Sequence, residues 1–234
     1  MLIISRQEQI LEILKRERSV SVTRLSRELF ASEPTIRRDL AMLEKQGYLK
    51  RVYGGAILGG APDREIPYEV RTGEQEDAKA IMARKAAQYL AKGTVVFLDG
   101  SSSAARMVEP ISAVGDILVV TSGAKTAIAL AERGVRVIST GGQMITRSFT
   151  YVGSHAEACV RGIRADVVFF SCRGLSEEGE MTDISIEEIN LRRAMLERAK
   201  TRVLLCDRSK WGKQYMYSLG YRTDIDAVIS EIDE

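Results

Sequence analysis

Two sets of residues have types and spacings that could do chemistry. The first is a series of small polar groups that follow short apolar runs. Asp99-Gly100-Ser101-Ser102-Ser103 follows the run 95–98, and Thr121-Ser122-Gly123 follows 117–120. Gly141-Gly142 and Asp207-x2-Lys210 stand in corresponding places further on. Serine hydroxyls and free backbone N–H groups at a helix start make a cradle for an anion such as phosphate. Lys210 would add positive charge, and paired glycines let backbone approach a ligand closely. Asp99, Asp183 and Glu187 could accept hydrogen bonds from sugar hydroxyls. The second set is Ser32-x2-Thr35-x-Arg37-Arg38. Ser32 is a good N-cap, and Glu33 and Pro34 suit a first helical turn. Ile36, Leu40 and Leu43 fall at i, i+4 and i+7 on one stripe. A capped helix with a buried stripe and arginines near its start suits insertion into a DNA major groove.

Each residue also has a plain structural use. Serines cap helices, Gly-Gly makes turns, Asp207 can cap the turn after it, and a lone lysine can sit in water. Trp211 and Tyr215 can pack a helix or subunit surface instead of stacking on a ligand. What favours a phosphate-plus-polyol site is convergence, with several polar loops and a lysine on one edge of one sheet.

The elements that must position these groups divide the chain. Residues 1–58 read as a winged helix-turn-helix. Ser5 and Glu8 have capping-box form, and Ile10, Leu11, Ile13 and Leu14 make a helical apolar face. Ser19–Ser21 alternates briefly before a short helix carrying Val22, Leu25 and Leu29. A tight connection then leads into the Ser32-capped helix. Gly47 suits a C-cap. The segment 48–53 reads as a strand, Gly54-Gly55 as a reversal and 56–58 as the return. Lys50 and Arg51 on this wing are natural phosphate contacts, as is Arg6. Residues 59–76 read as linker and arm, from Gly59-Gly60-Ala61-Pro62 through Pro67–Arg71, which is expected to pack on the second domain. Residues 77–234 open with a helix over 77–91, its apolar side formed by Ile81, Ala86 and Leu90. Five apolar runs at 95–98, 117–120, 135–138, 167–170 and 203–206 then alternate with helices. That rhythm implies an α/β domain with a parallel sheet covered on both faces, whose ligands sit beyond the carboxyl ends of the strands.

Bulk properties exclude some classes. Net charge is only +2. Yet residues 1–58 hold 11 Lys+Arg against 7 Asp+Glu, leaving a mildly acidic remainder. A basic head suggests a polyanion as partner. No apolar run approaches the ~18 residues of a membrane span, and the first residues do not resemble a signal peptide; a cytoplasmic protein with no membrane partner is expected. Cys159, Cys172 and Cys206 are scattered, and His155 is the one histidine, so reduced core thiols are expected, with no metal and no cofactor. One imidazole and no G-x-S-x-G turn argue against a Ser-His-Asp or Cys-His enzyme.

The spacing Arg6-x3-Ile10-x3-Leu14, followed by Ser32-x2-Thr35-Ile36-Arg37-Arg38-Asp39-Leu40 and the Gly54-Gly55 wing, resembles the DeoR-type bacterial transcription regulators. Tyr53 stands where a His is frequent in that family. The resemblance extends over essentially the whole chain. It implies a sensor domain similar in fold to ribose-5-phosphate isomerase, with a phosphorylated sugar or related metabolite as effector. Asp99 to Ser103, Thr121, Gly141-Gly142, Glu187-Glu188 and Asp207-x2-Lys210 match the family's ligand loops. Ser122 replaces a frequent Asn. Arg173-Gly174 replaces an Asp-containing loop, which removes a carboxylate the isomerases use and would favour a more acidic effector. The expectation is a repressor of a carbohydrate-catabolic operon. It would bind a double-stranded DNA operator as a homo-oligomer (dimer or tetramer), with effector binding changing the spacing of two heads. Activation of transcription is open to the same head. The rival is a sugar-phosphate isomerase carrying an N-terminal interaction module, with Glu187 as base. Effector choice falls to side chains around Arg147, Phe149 and Tyr151.

Overall fold

Ile36, Leu40 and Leu43 are each at most 1 % exposed, so the stripe read from the sequence is a buried face. The computed structural model describes residues 6–17, 19–46, 48–58 and 66–232. The chain divides into two compact units, at residues 1–74 and 75–234. Ser5, Gly47 and the Gly59–Arg64 stretch, assigned above to a capping box, a C-cap and a linker, lie outside the described residues.

The first unit contains α1 (Arg6–Glu17), β1 (Ser19–Ser21), α2 (Val22–Glu28), α3 (Glu33–Gln46), β2 (Leu49–Val52), β3 (Gly55–Leu58) and α4 (Tyr68–Gly73). β1, β3 and β2 form an antiparallel sheet in that order. Ile10 and Leu14 of α1, Leu25 of α2 and the α3 stripe bury one core together with Leu49 and Ala56. The wing turns at Gly54, whose φ of +76° is the left-handed region that glycine enters without strain. A Cβ on Gly55 would overlap the Val20 carbonyl, so β3 can lie this close to β1 only without one. The Pro67–Arg71 arm is the start of helix α4, with Tyr68 and Val70 buried.

The second unit contains α5 (Glu76–Ala86), β4 (Val95–Leu98), α6 (Val108–Val114), β5 (Leu118–Thr121), α7 (Ala124–Glu132), β6 (Arg136–Ser139), β7 (Gln143–Ile145), β8 (Thr150–Val152), α8 (Ser154–Arg161), β9 (Ala165–Phe170), β10 (Gly174–Leu175), β11 (Glu180–Asp183), α9 (Ile186–Arg198), β12 (Ala199–Leu205), β13 (Tyr217–Tyr221) and β14 (Ala227–Ile229). The main sheet has the order β14-β12-β9-β4-β5-β6, with every pairing parallel. Phe97, Val168, Phe170 and Leu204 face one apolar layer; Val96, Leu98, Val167, Phe169, Val203 and Leu205 face the other. This alternation between two cores explains why the strands read as unbroken apolar runs.

The structure goes beyond the pattern of apolar runs in several places. β14 adds a sixth strand whose side chains are only half-buried, as suits an edge. β10, β11 and β13 form a separate antiparallel sheet. β11 reads Glu-Met-Thr-Asp, without the apolar run that marks a strand. The helix expected over 77–91 ends at Ala86 and tightens into a 3-10 turn, Ala87–Tyr89. Its buried side is Ala78, Met82, Ala83 and Ala86, with Ile81 half-buried.

Candidate functional site

In the first unit, Ser32 caps α3 as its type predicts. Its Oγ accepts from the Thr35 N–H at 3.4 Å and lies 2.8 Å from Thr35 Oγ1. Ser21 does the same for α2, accepting from Arg24 N–H. Thr23 donates to Glu33 Oε1 at 2.9 Å, and Val22 N–H to the Gly54 carbonyl at 2.8 Å. These two bonds bring the start of α2, the start of α3 and the wing turn onto one face. Arg37 and Arg38 are exposed there, Arg37 leaning on Glu33 at 3.1 Å.

The candidate phosphate contacts divide on inspection. Lys50 is exposed on the wing. Arg51 is exposed too, but its Nε donates to Glu44 Oε2 at 2.7 Å and its backbone N–H to Oε1 at 2.8 Å, fastening the wing to α3. Arg6 is likewise engaged, its Nε 2.5 Å from Oδ2 of the buried Asp39. Sequence alone could not separate these arginines, because which carboxylate stands opposite depends on how α1, α3 and the wing fold together.

In the second unit the strand-end loops do meet. Gly123 forms a bridge with Thr150, and a Cβ placed on it would come 3.3 Å from the Gly100 Cα. A Cβ on Gly100 would overlap the Thr150 side chain. Ser101, Ser102 and Ser103 are buried, as are Thr121 and Ser122. Ser101 Oγ accepts from Ala104 N–H at 3.0 Å, and Thr121 Oγ1 from Gly123 N–H at 3.1 Å. Past Ser103 the chain makes a 3-10 turn, Ala104–Met107, before α6, so this loop does not open directly on an α-helix as the serine run suggested. The Gly123 loop does, on α7. Gly141 and Gly142 both take positive φ at the end of β6.

Lys210 closes this edge. Its Nζ donates to Ser171 Oγ at 2.7 Å and to Ser103 Oγ at 3.3 Å, and lies 3.2 Å from Asp207 Oδ2. Ser171 Oγ can accept from lysine because its own hydrogen goes to the Leu205 carbonyl at 2.6 Å. Burial pushes the Asp207 carboxyl upward, but attraction to Lys210 and the Ser209 bond outweigh it and leave it below the usual range. Lys79 of α5, 4 % exposed, adds its charge to this neighbourhood.

Beside it lies an acidic cluster around a residue that the sequence reading missed. Arg192 on α9 is 5 % exposed. It donates to Asp99 Oδ2 at 2.8 Å, Asp183 Oδ2 at 2.7 Å and Glu188 Oε2 at 2.8 Å. Burial alone would lower its pKa, but the three carboxylates more than offset this and raise it. Burial likewise raises Asp183, yet Arg192, the Ile184 N–H and Arg173 hold its carboxyl below the ordinary value. Arg173 stands 3.8 Å from Asp183 Oδ1 and lies over the Tyr215 ring. Glu187 is exposed and bonded to Ser185; Glu188 is the buried member of the pair, and its Oε1 has no hydrogen-bond partner among the described residues. The available signal was Glu188, Arg192 and Met195 at i, i+4 and i+7, an ion pair set into an apolar stripe.

A cavity of about 710 Å³ lies outside this set, lined by Leu175, Glu177, Arg208, Trp211 and Arg222 among others. Trp211 packs on the core with Arg208 over its ring and its Nε1 donating to the Cys206 carbonyl. Cys172 and Cys206 are buried free thiols, as expected, whereas Cys159 is half-buried. Among the described residues no helix is long and apolar enough to cross a membrane.

Comparison with known proteins gives concordant matches. Residues 6–59 match the DeoR-like helix-turn-helix domain, and residues 74–232 the DeoR C-terminal sensor domain. The chain is 32 % identical to the uncharacterized HTH-type transcriptional regulator YulB of Bacillus subtilis, over 99 % of this chain and 90 % of that protein. It is 33 % identical to the HTH-type transcriptional regulator GolR of Listeria innocua (97 % and 89 % covered). Identity to the glycerol-3-phosphate regulon repressor of Escherichia coli is 26 % (97 % and 90 % covered). Among solved structures, the tetrameric eIF2B-beta2-delta2 complex of C. thermophilum aligns with a TM-score of 0.53 at 14 % identity, over 67 % of this chain and 56 % of that one. Ribose 5-phosphate isomerase A from Methanocaldococcus jannaschii aligns at 0.45 and 14 % identity (59 % and 55 % covered). The helix-turn-helix unit with its wing, the parallel-sheet unit and both family matches agree: the chain belongs to the DeoR family of DNA-binding transcriptional regulators.

Proposed function

We propose that the strand-end loops of the second unit bind a phosphorylated sugar or related metabolite, and that this ligand controls how tightly the chain holds its operator. The observation that carries the reading is the convergence of Lys210 on Ser103 and Ser171 beside the Gly100 and Gly123 loops. Phosphate needs a positive charge and a set of hydroxyl and N–H donors, and this edge of the sheet supplies both. The polyol would lie toward the acidic cluster. There Asp99 and Asp183 are occupied by Arg192, and the exposed carboxylate of Glu187 is open to accept a hydroxyl. Asp99 and Asp183 then act by holding Arg192.

On the first unit, Thr35, Arg37 and Arg38 read base edges or adjoining phosphates, and Lys50 holds the backbone. The regulator represses a carbohydrate-catabolic operon, a reading supported by its similarity to a repressor of the glycerol-3-phosphate regulon. It works in the cytoplasm as a homo-oligomer, with residues 1–58 as the head, 59–76 as linker and arm, and 77–234 as the sensor. A thermal-shift titration with pentose, hexose and triose phosphates tests the sensor. At least one should stabilise the wild type, and Lys210→Ala should lose that shift. An unaltered shift in the variant would remove Lys210 from the site.

A further inference from the structure

Among the described residues, four that are not glycine take a positive φ: Phe30, Gln75, Asp116 and Phe149. Gln75 and Asp116 are polar residues beside turns, and Phe149 is half-buried with Lys125 Nζ 4.3 Å from its ring. Phe30 has neither excuse. Its φ is +51° and its side chain 97 % exposed. A bulky residue in the left-handed region is a genuine outlier, where asparagine or glycine fits without strain. Stability therefore gives no reason for a phenylalanine here: the backbone is strained and the ring is left in water.

The position points to a use. Phe30 is two residues before the Ser32 cap, in the turn that delivers α3. Ser26 fixes that turn, accepting from Ala31 N–H through its carbonyl at 3.2 Å and donating from its hydroxyl to the Ala31 carbonyl at 2.6 Å. The ring is thus carried on a braced turn, immediately beside the helix end assigned to the major groove. Phosphates offer a phenyl ring little, sugar C–H groups are the same at every base pair, and most base edges in that groove are polar. The apolar group there is the thymine methyl.

We infer that Phe30 is a specificity-determining residue that contacts a thymine methyl at the margin of the operator bases read by α3. The inference rests on α3 reading the groove. An outlier of this kind is a reason to look for function, and thymine preference is a function that a mere turn residue would not have.

The test is selection from a randomised duplex library by full-length wild type and Phe30→Asn, followed by replacement of the enriched thymine with deoxyuridine, which deletes one methyl. Wild type should enrich a thymine at a fixed position that Phe30→Asn does not. Deoxyuridine there should weaken wild type about fourfold, the worth of one buried methyl, and leave the variant unmoved. Phe30→Asn should also melt higher, by about 2–4 °C, which shows that lost preference is not lost folding. Thymine enrichment that survives in Phe30→Asn, or an equal deoxyuridine penalty in both proteins, overturns the inference while leaving the groove assignment standing. Wild type that enriches no sequence at all overturns both.

Discussion

The guanidinium of Arg192 donates to Asp99 Oδ2 at 2.8 Å, joining the middle of α9 to the loop that ends β4. The same Asp99 oxygen accepts the Ser171 N–H at 3.2 Å, and Lys210 reaches Ser171 Oγ at 2.7 Å. One chain of polar contacts therefore runs from the acidic cluster to the lysine. The candidate phosphate end and the candidate polyol end of the site are held by a single buried network.

Removing the centre of that network should be costly. Arg192→Met leaves three buried carboxylates facing one another, and breaking a buried ion pair costs about 3–5 kcal/mol. Arg192→Lys keeps the charge without the planar fork and should recover only part of it. Urea denaturation measures both. A methionine variant within about 0.5 kcal/mol of wild type would show that the cluster does not hold the site together.

The same network sets an acid limit. Asp183 and Asp207 titrate below their ordinary value of 3.8 in the folded protein. A depressed carboxyl contributes stability that is complete above the unfolded value and is lost as pH falls through the lower folded one. Circular dichroism against pH should therefore show little change from neutrality to about pH 4.5 from these two groups, and their loss below about pH 4. Arg192→Met should unfold at a higher pH than wild type. Coincident acid midpoints would remove Arg192 as the cause.

Gly100 should tolerate no side chain while Thr150 is present. Gly100→Ala sets a methyl into the Thr150 side chain, and overpacking of this kind costs about 1–3 kcal/mol. Thr150→Gly should cancel most of that penalty in the double variant. If the two changes are additive, the loops do not meet as described.

On the wing, neighbouring basic residues should behave differently. Lys50→Ala should reduce the slope of log affinity against log salt by about one. Arg51→Ala should instead act on the fold, modestly, since a half-exposed pair such as Arg51–Glu44 is worth up to about 1 kcal/mol. Arg38→Ala should cost about 1–3 kcal/mol on a selected duplex with no loss of ligand-induced thermal shift. Equal salt slopes for wild type and Lys50→Ala would take Lys50 off the phosphate backbone.

What the amino-acid sequence determined by itself was whatever depends on neighbours three, four or two residues away. Ser32 was legible as a cap, Ile36, Leu40 and Leu43 as a buried stripe, and the apolar runs as strands of one parallel sheet. The position of the strand-end loops then follows from topology, so Lys210 and the serine loops could be placed on one sheet edge in advance. The tertiary structure decided which charges are spent on the protein itself. Arg6 and Arg51 look like Lys50 in a string of letters but are bound to Asp39 and Glu44, and Glu188 is buried where Glu187 is exposed because helix phase points it inward. Arg192 was marked in the sequence only by Glu188 four residues before it; its bonds to Asp99 and Asp183 appeared when α9 lay against the ends of β4 and β11, and the small sheet of β10, β11 and β13 only when its polar strands found partners. Local propensity and capping act within a turn or two of chain, whereas ion pairing and burial are set by distance in space, which residue spacing does not encode.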